Sequence, residues 1–462
     1  MRQWTSARIA HAAGADLLAQ GTPGPGPEFV TIDSRAAGPG ALFVGLPGAN
    51  VDGGAFAAQA LQAGAWGVVA SVPYADALTN THTAATGVVL AATDPLKSLQ
   101  RLATAWRREL GAQVIGVTGS TGKTSTKDLL LAVLAPHKTT VASRANFNTE
   151  IGLPLEILNA PAGTEILVLE MGMRGAGQIA ELAEIAEPDV AVIVSIGPVH
   201  LELMGSVEAI AAAKAELIAA LRPGGTAVIP ADEPLLAPHL REDVSTVTFG
   251  PDGDVRPAET QADAAPNDTR LTVDAQGERI TLEVPFTQAH LRSNLLAAVA
   301  AACAVGVTPS GRVELALSKG RGQRYITPSQ VTVIDDCYNA NPISMRAALD
   351  DLKATAAHTD GSRRVAVLGD MLELGPQEHD FHAQLGEQAA EVGVDVLVTV
   401  GPLAASIAEG FHGETHAVSD AAEAATIVPE LLAPGDVVLV KASRGVGLEL
   451  VCRALGARDD DA

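Results

Sequence analysis

The stretch VTGSTGKTSTKDLL, residues 117–130, combines a glycine-rich turn with a lysine and a threonine where phosphate chemistry needs them. An apolar run precedes the turn, and residues that favour a helix follow it. Backbone N–H groups of such a turn, with the positive end of the helix, bind an anion. We therefore expect Lys123 to reach the outer phosphates of a nucleotide and the Thr124 hydroxyl to bind magnesium. An ordinary glycine turn between a strand and a helix is the alternative.

The spacing of this turn is shorter than that of the general phosphate-binding loop. That loop has a glycine five residues before Gly122, where this chain has Val117, and Gly119 supplies the turn in the form G-x-x-G-K-T. The pattern predicts nucleotide binding but does not name a reaction. The residues expected at the nucleotide phosphates are Gly119, Ser120, Thr121, Gly122, Lys123, Thr124 and Ser125.

Two polar residues follow the next apolar runs of the chain. Glu170 ends the run EILVLE, and His200 lies in SIGPVHLELMG. Because ligands bind at the carboxyl ends of parallel strands, both side chains are expected at a metal beside the phosphate turn. A strand-end salt bridge for Glu170 and a capped loop position for His200 are the alternatives. Lys214 stands alone among alanines in the helix that follows Ser206, and its spacing alone indicates a solvent-facing residue.

The elements that must position these residues alternate between apolar strands and helices, which predicts an α/β fold. Continuous Val, Ile and Leu runs in the middle of the chain predict a mostly parallel sheet that is covered on both faces. Asp94 followed by Pro95 predicts the start of the helix that leads into this middle block. The last third repeats the pattern of a doubly wound sheet. The expected domains are 1–100, 101–309 and 310–462, with flexible joints near residues 100 and 310.

Length and composition limit the possible functions. A chain of 462 residues is expected to form two or three domains. Acidic residues outnumber basic ones by 54 to 31, and the net charge of −23 disfavours nonspecific binding to nucleic acid or anionic membranes. Three cysteines without a CxxC pair disfavour a disulfide framework and a structural zinc site. The sequence has no apolar run typical of a signal peptide or a membrane span, so we expect a soluble cytoplasmic protein.

A series of motifs resembles the Mur ligase family across almost the whole chain. YNANPISM and GDMLELG resemble motifs of one branch of this family, whose members join D-alanyl-D-alanine to UDP-N-acetylmuramoyl-tripeptide. DSRAAGPGALFVGLPGANVDGG resembles the nucleotide-sugar domain of that branch. The resemblance implies an N-terminal UDP-binding α/β domain, a central P-loop ATPase domain with a mostly parallel sheet, and a C-terminal Rossmann-like domain. The other motifs, in order, are TGSTGKTSTKDLL, NFNTEIGLP, LEMGMRGAGQI, SIGPVHLELMGSVEAIAAAKAELI, IDDCYNANPISMRAAL and VLVKASRGVGLE.

The resemblance also implies roles for individual residues. Lys123 and Thr124 match the phosphate lysine and the magnesium-binding hydroxyl, and Glu170 and His200 match the two metal-site residues. Lys214 matches a lysine that is carbamylated in this family, an implication that replaces the solvent-facing interpretation. The remaining expected site residues are Asn294 at adenine, Arg324 and Asp336 closing over ATP, Ser34 and Arg35 at UDP, Asn146, Asn148 and Thr149 facing the muramoyl substrate, and Asn339 and Asn341 in the substrate cleft.

The activity that the resemblance implies is an ATP-dependent, ADP-forming amide ligase that works through an acyl phosphate. Its cofactors would be ATP and Mg²⁺ with a carbamylated Lys214, and its partners UDP-N-acetylmuramoyl-tripeptide and D-alanyl-D-alanine, bound by a monomer. Other ligases of the superfamily, which add the third peptide residue or extend folate with glutamate, remain alternatives. A P-loop switch ATPase is an alternative of a different class. No motif decides whether the third residue of the acceptor is diaminopimelate, lysine or ornithine.

Overall fold

The structure, a computed structural model, describes residues 1–21, 24–79, 87–144, 146–262, 269–357 and 361–457. Its strands form three sheets, of five, ten and six strands, in that order along the chain. The three-unit α/β architecture expected from the sequence is therefore confirmed. No helix among the described residues combines the length and apolar character that crossing a bilayer requires.

The first unit is built around the five-stranded sheet. Its elements are α1 (Ser6–Ala13), β1 (Asp16–Gln20), β2 (Phe29–Thr31), β3 (Ala41–Val44), α2 (Ala57–Gln62), β4 (Gly67–Ser71), α3 (Val72–Thr79), β5 (Val88–Ala92) and α4 (Pro95–Leu110). The strands follow the order β1-β5-β4-β3-β2 in the sheet, and all neighbouring strands are parallel except β1 and β5.

Helix α4 begins where the sequence predicts. The Asp94 side chain accepts a hydrogen bond from the Lys97 N–H at 3.0 Å, and Pro95 occupies the first turn. Such an N-cap contributes about 1 kcal/mol to helix stability. The helix passes residue 100 without a break, and Trp4 of the first unit packs edge-to-face on its Trp106 at 5.5 Å. A bend at residue 100 would break helical hydrogen bonds, so the structure does not support the expected joint there.

The central unit carries the strands that were predicted from apolar runs, together with an antiparallel extension. Its elements are β6 (Gln113–Thr118), α5 (Lys123–Leu134), β7 (Thr140–Ala142), α6 (Gly152–Asn159), β8 (Ile166–Glu170), α7 (Gln178–Ala186), β9 (Val190–Ile193), α8 (Leu201–Met204), α9 (Val207–Ala219), β10 (Thr226–Pro230), β11 (Ser245–Phe249), β12 (Val255–Ala262), β13 (Thr269–Ala275), β14 (Glu278–Val284), α10 (Ala289–Ala304) and β15 (Gly311–Arg312).

The sheet order in this unit is β15-β14-β13-β12-β11-β10-β9-β6-β8-β7. The six strands β6 to β11 pair in parallel, whereas β13 pairs antiparallel with both β12 and β14. Strands β8 and β9 are buried along their whole length, as continuous apolar runs in a doubly covered parallel sheet require. The carboxyl ends of β6, β8 and β9 therefore lie side by side, and the turns that follow them form one edge.

The third unit is built around the six-stranded sheet. Its elements are β16 (Gln323–Ile326), β17 (Thr332–Asp335), α11 (Pro342–Ala356), β18 (Arg364–Gly369), α12 (Glu378–Glu391), β19 (Val396–Val400), β20 (Glu414–Val418), α13 (Ala421–Leu431), β21 (Val437–Lys441) and α14 (Glu449–Ala454). The strands follow the order β16-β17-β21-β18-β19-β20, and all neighbouring strands are parallel except β16 and β17. This topology fits the expected Rossmann-like domain.

Candidate active site

The glycine-rich turn joins β6 to α5 and is held in place by its neighbours. Gly122 has φ 77°, and a Cβ built on it would lie 2.7 Å from Oδ1 of Asn294 on α10. The Thr121 N–H donates to the Ser195 hydroxyl at 2.9 Å, which fixes the turn to the residues after β9. A residue with a side chain would both strain the backbone at 122 and displace Asn294. The geometry explains why glycine precedes the lysine and places the expected adenine residue against the phosphate turn.

Lys123 folds back over this turn. Its Nζ donates to the Gly119 carbonyl oxygen at 2.8 Å, and no carboxylate in the described part of the chain forms an ion pair with it. Burial lowers the pKa of Lys123, Glu170 opposes that shift and Arg321 adds to it. A phosphate anion in the turn would supply a negatively charged partner for this half-buried ammonium group.

Thr124 and Glu170 meet at the adjoining strand end. The Thr124 hydroxyl donates to Glu170 Oε2 at 2.9 Å, and Glu170 Oε1 accepts from Nδ2 of Asn148 at 2.8 Å. Glu170 is only 3 % exposed. A hydroxyl and a carboxylate are the hard oxygen ligands that Mg²⁺ prefers, so these two residues fit a magnesium ion. Asn148, which was expected at the muramoyl substrate, directs its amide to Glu170, and its role at the substrate stays a prediction.

Lys214 lies on α9, whose first turn is capped by the Ser206 hydroxyl. Its side chain is 2 % exposed, so the solvent-facing interpretation from spacing alone is wrong. Burial lowers the pKa of Lys214 well below its usual value, and the neighbouring Lys123 adds to the shift. Within the described residues, no side chain forms an ion pair with this amine. The helix therefore delivers a buried amine to the phosphate turn.

His200 follows β9 and precedes α8, with φ 53° in the left-handed region. Its Nδ1 contacts Oε2 of Glu373, which belongs to the C-terminal unit. Burial lowers the pKa of His200, Glu373 opposes this shift, and Lys123 and Lys214 add to it. The ring therefore lies in the same electrostatic environment as the two lysines.

Arg321 is a site residue that sequence reasoning missed. Its Nη2 lies 3.3 Å from the Thr124 hydroxyl oxygen, and its guanidinium stacks on the ring of Tyr338 at 4.1 Å. Arg324, which the resemblance placed over ATP, instead pairs with Asp351 of α11. The arginine that the structure brings to the phosphate turn is therefore Arg321.

A short segment carries Arg321 to the turn. Asp128 lies one helical turn after Thr124 on α5, and its Oδ2 accepts from the Ser318 N–H at 3.0 Å and the Ser318 hydroxyl at 2.9 Å. Gly320 and Gly322 flank the arginine with φ 68° and 79°. An arginine between two glycines was the signal in the sequence that identifies this position, because such glycines allow a close backbone approach.

We expect Arg321→Ala to slow ATP-dependent turnover about 100-fold, because it removes a cation that contacts the phosphate turn. Arg324→Ala is the matched control, with a loss below about tenfold, because this arginine pairs with Asp351 within the C-terminal unit and not with the phosphate turn. Phosphate release at saturating ATP measures the difference, and thermal melting checks the fold of both variants. A larger loss in Arg324→Ala would contradict this assignment.

The expected UDP residues lie in the loop after β2. Arg35 is 87 % exposed and pairs with Asp33 at 2.7 Å. Hydrogen bonds from Arg35 lower the pKa of Asp33 to about 2. Ser34 lies between them, half-buried. The structure does not bring these residues to the phosphate turn, so their expected role at UDP stays a prediction.

Two other expected substrate residues, Asn146 and Thr149, are exposed in the loop before α6. The Thr149 hydroxyl accepts from the Gly152 N–H at 3.4 Å. Through Asn148, this loop adjoins the Glu170 carboxylate. Its position is compatible with a substrate contact, and that role stays a prediction.

The C-terminal candidates lie between β17 and α11. Asp336 pairs with the buried Lys441 at 2.6 Å, and the Lys441 ammonium also donates to the Asn339 carbonyl oxygen at 2.9 Å. Asn341 caps α11, with its Oδ1 accepting from the Ser344 N–H at 3.0 Å. The side chain of Asn341 is thus engaged in the helix cap, and its expected place in the substrate cleft stays a prediction.

Comparisons with known proteins agree over nearly the whole chain. Residues 27–107 match the Mur ligase family catalytic domain, 117–302 the Mur ligase middle domain, and 320–444 the Mur ligase glutamate ligase domain. The UDP-N-acetylmuramoyl-tripeptide–D-alanyl-D-alanine ligase of Bacillus subtilis is 38 % identical, with 92 % of each chain covered. The chain belongs to the Mur ligase family. The ligase of the same name from Mycobacterium tuberculosis is 40 % identical, covering 93 % of this chain and 92 % of its own.

Solved structures of the family share the fold. MurF from Acinetobacter baumannii superposes with a TM-score of 0.85 at 29 % identity, with 98 % of both chains covered. MurF ligase from Thermotoga maritima, solved in complex with ADP, gives a TM-score of 0.79 at 30 % identity, covering 93 % of this chain and 97 % of that one. The three-sheet architecture of this chain is thus the architecture of these family members.

Proposed function

We propose that this chain is an ATP-dependent, ADP-forming ligase that joins D-alanyl-D-alanine to UDP-N-acetylmuramoyl-tripeptide. The observation that carries the proposal is the convergence of Lys123 and Arg321 with the Thr124–Glu170 oxygen pair at one glycine turn. Relatives that bear this enzyme name, 31 % to 40 % identical over more than nine-tenths of the chain, support the choice of substrates. The reaction would complete the UDP-linked pentapeptide precursor of peptidoglycan in the cytoplasm.

The chemistry explains why these residues are needed. A carboxylate is a poor acylating agent because its leaving group would be oxide. Attack of the tripeptide carboxylate on the γ-phosphorus of ATP releases ADP and forms an acyl phosphate. The amine of the dipeptide then attacks the carbonyl carbon, and the C–O bond breaks to release inorganic phosphate and a proton. Negative charge accumulates near the γ-phosphate, where Lys123 and Arg321 are held to stabilise it.

The proposed metal site consists of Thr124, Glu170, His200 and a carbamylated Lys214. Magnesium bound there would neutralise charge on the phosphate oxygens. Thr124 and Glu170 supply oxygen ligands that are already in contact with each other. This chain needs no side-chain nucleophile, because the substrate carboxylate performs the first attack.

The three units suggest a division of the substrates. We place UDP on residues 1–100, with Ser34 and Arg35, ATP on residues 101–309 and the dipeptide on residues 310–462, in a monomer. Contacts from the third unit to the phosphate turn, such as Arg321 on Thr124, support closure of that unit over the nucleotide.

We expect ATP alone to be hydrolysed slowly, with full turnover only when both the UDP-linked tripeptide and D-alanyl-D-alanine are present. The reason is that the γ-phosphate has no acceptor until the tripeptide carboxylate is bound. Phosphate release is measured with each substrate omitted in turn, and tripeptides ending in diaminopimelate, lysine or ornithine are compared.

Two outcomes of this assay would favour one of the alternative functions. Rapid hydrolysis without an acceptor would favour a switch ATPase. Turnover with a UDP-linked dipeptide and a free diamino acid would instead favour a ligase that adds the third residue.

A further inference from the structure

The GDMLELG segment, typical of one branch of the family, reaches from the C-terminal unit to the proposed metal site. Oε2 of its Glu373 contacts Nδ1 of His200. Its Oε1 lies 3.5 Å from Nη2 of Arg174, and its carbonyl oxygen accepts from the Glu202 N–H at 3.3 Å. Glu373 therefore contacts three residues of the central unit, from the loop after β8, the loop after β9 and helix α8.

The backbone at this contact is held in an unusual conformation on both sides. Glu373 has φ 64° and His200 has φ 53°, although neither is a glycine. Residues with side chains adopt the left-handed region rarely, and those that do cluster at functional sites. Gly375 has φ 68°, and a Cβ on it would lie 3.2 Å from the Glu202 Cα. The loop is thus shaped to bring Glu373 against His200.

The contact determines which ring nitrogen of His200 carries the proton. A neutral imidazole that donates from Nδ1 to a carboxylate has its lone pair on Nε2, where it can bind a metal. A carboxylate partner accepts but cannot donate, so it selects this tautomer. A glutamate from another unit therefore favours the tautomer of His200 in which Nε2 is free.

We infer that Glu373 is a positioning residue that accepts the Nδ1 proton of His200, leaves Nε2 free to bind the metal, and makes metal binding depend on docking of the C-terminal unit. The inference rests on the proposed metal site. Among the described residues of the central unit, none supplies a carboxylate to Nδ1 of His200, so this role belongs to the glutamate of the GDMLELG motif. Metal affinity and docking of the third unit would then change together.

The test uses the full-length protein and the variants Glu373→Ala and Glu373→Gln. Nitrogen-15 NMR of histidine-labelled protein reports the His200 tautomer, and the signal is assigned by its loss in His200→Gln. Titration of Mn²⁺ in the presence of ADP, followed by the electron paramagnetic resonance of the free ion, reports metal affinity. Glu391→Gln is the matched control, since Glu391 pairs with Arg346 within the C-terminal unit.

In wild type and in Glu391→Gln we expect the tautomer protonated at Nδ1. In Glu373→Ala that signature should be lost and Mn²⁺ affinity should fall about 10- to 100-fold, the usual effect of removing a partner of a metal-ligating histidine. Glu373→Gln should give a mixture of the two tautomers, because an amide can donate to Nδ1 as well as accept from it and so selects neither. Thermal melting confirms that each variant is folded.

An unchanged His200 signature or an unchanged Mn²⁺ affinity in folded Glu373→Ala would overturn the inference. Wild-type protein that binds no Mn²⁺ with ADP would overturn the metal site and the inference together. Neither readout uses the UDP-linked substrate or the dipeptide. Failure of the proposed ligation would therefore be recognised separately.

Discussion

Lys123→Ala is expected to reduce ligation about 100- to 1000-fold while the protein stays folded, the range typical of losing one preorganised charge donor. The ammonium group donates to the Gly119 carbonyl oxygen in the turn, and Lys123 is not one of the buried residues of α5, so the fold should tolerate its replacement. The loss should appear in kcat as well as in kcat/KM, because the charge near the γ-phosphate grows in the transition state.

The measurement is phosphate release with all three substrates at saturating concentration. Lys138→Ala is the control, since Lys138 belongs to the same unit but pairs with Glu165 on the surface. It should retain near-normal turnover. A Lys123→Ala variant that also kept near-normal turnover would show that the glycine turn does not hold the reacting phosphate.

Much of the fold could be predicted from the sequence, because local patterns determine it. The buried runs of β8 and β9 carry the apolar continuity of parallel strands, and Asp94 and Ser206 are residues that cap helices through their own side chains. Strand β20 carries no such pattern, because its sequence, ETHAV, has no continuous apolar run and most of its residues are exposed or half-buried. The joint expected near residue 100 falls inside α4, because Asp94 and Pro95 mark where this helix begins and not how far it continues.

The residues of the candidate site could also be predicted only in part. Lys123, Thr124 and Glu170 follow strands in chain order, so the edge of the sheet brings them together. Arg321 and Glu373 reach the same edge from the C-terminal unit, and no local pattern encodes a contact between units. The burial of Lys214 was also hidden, because the alanines around it carry no clear amphipathic pattern. The resemblance to the family identified Lys214 as a site residue, and the structure gives a physical reason why this lysine could be carbamylated.

The charge on Lys214 provides the physical reason for its carbamylation. As an ammonium ion it would repel both a metal and the neighbouring Lys123. Its pKa is held well below the usual value by burial, so at neutral pH more of it is the neutral amine. A neutral amine adds carbon dioxide: the N–C bond forms, one proton is released, and the product is a carbamate with one negative charge and two oxygens. The carbamate is a hard oxygen ligand suited to magnesium.

We therefore expect Lys214 to be carbamylated in the active enzyme, and Lys214→Ala to lose about 100-fold or more in turnover. Acetate should partly restore Lys214→Ala by placing a carboxylate in the vacated space. It should not restore Lys123→Ala, where the missing group is a cation. With ¹³C-bicarbonate, NMR should show a carbamate carbon in the wild type that is absent from Lys214→Ala. Fully active enzyme at neutral pH without that signal would show that Lys214 acts as a free amine.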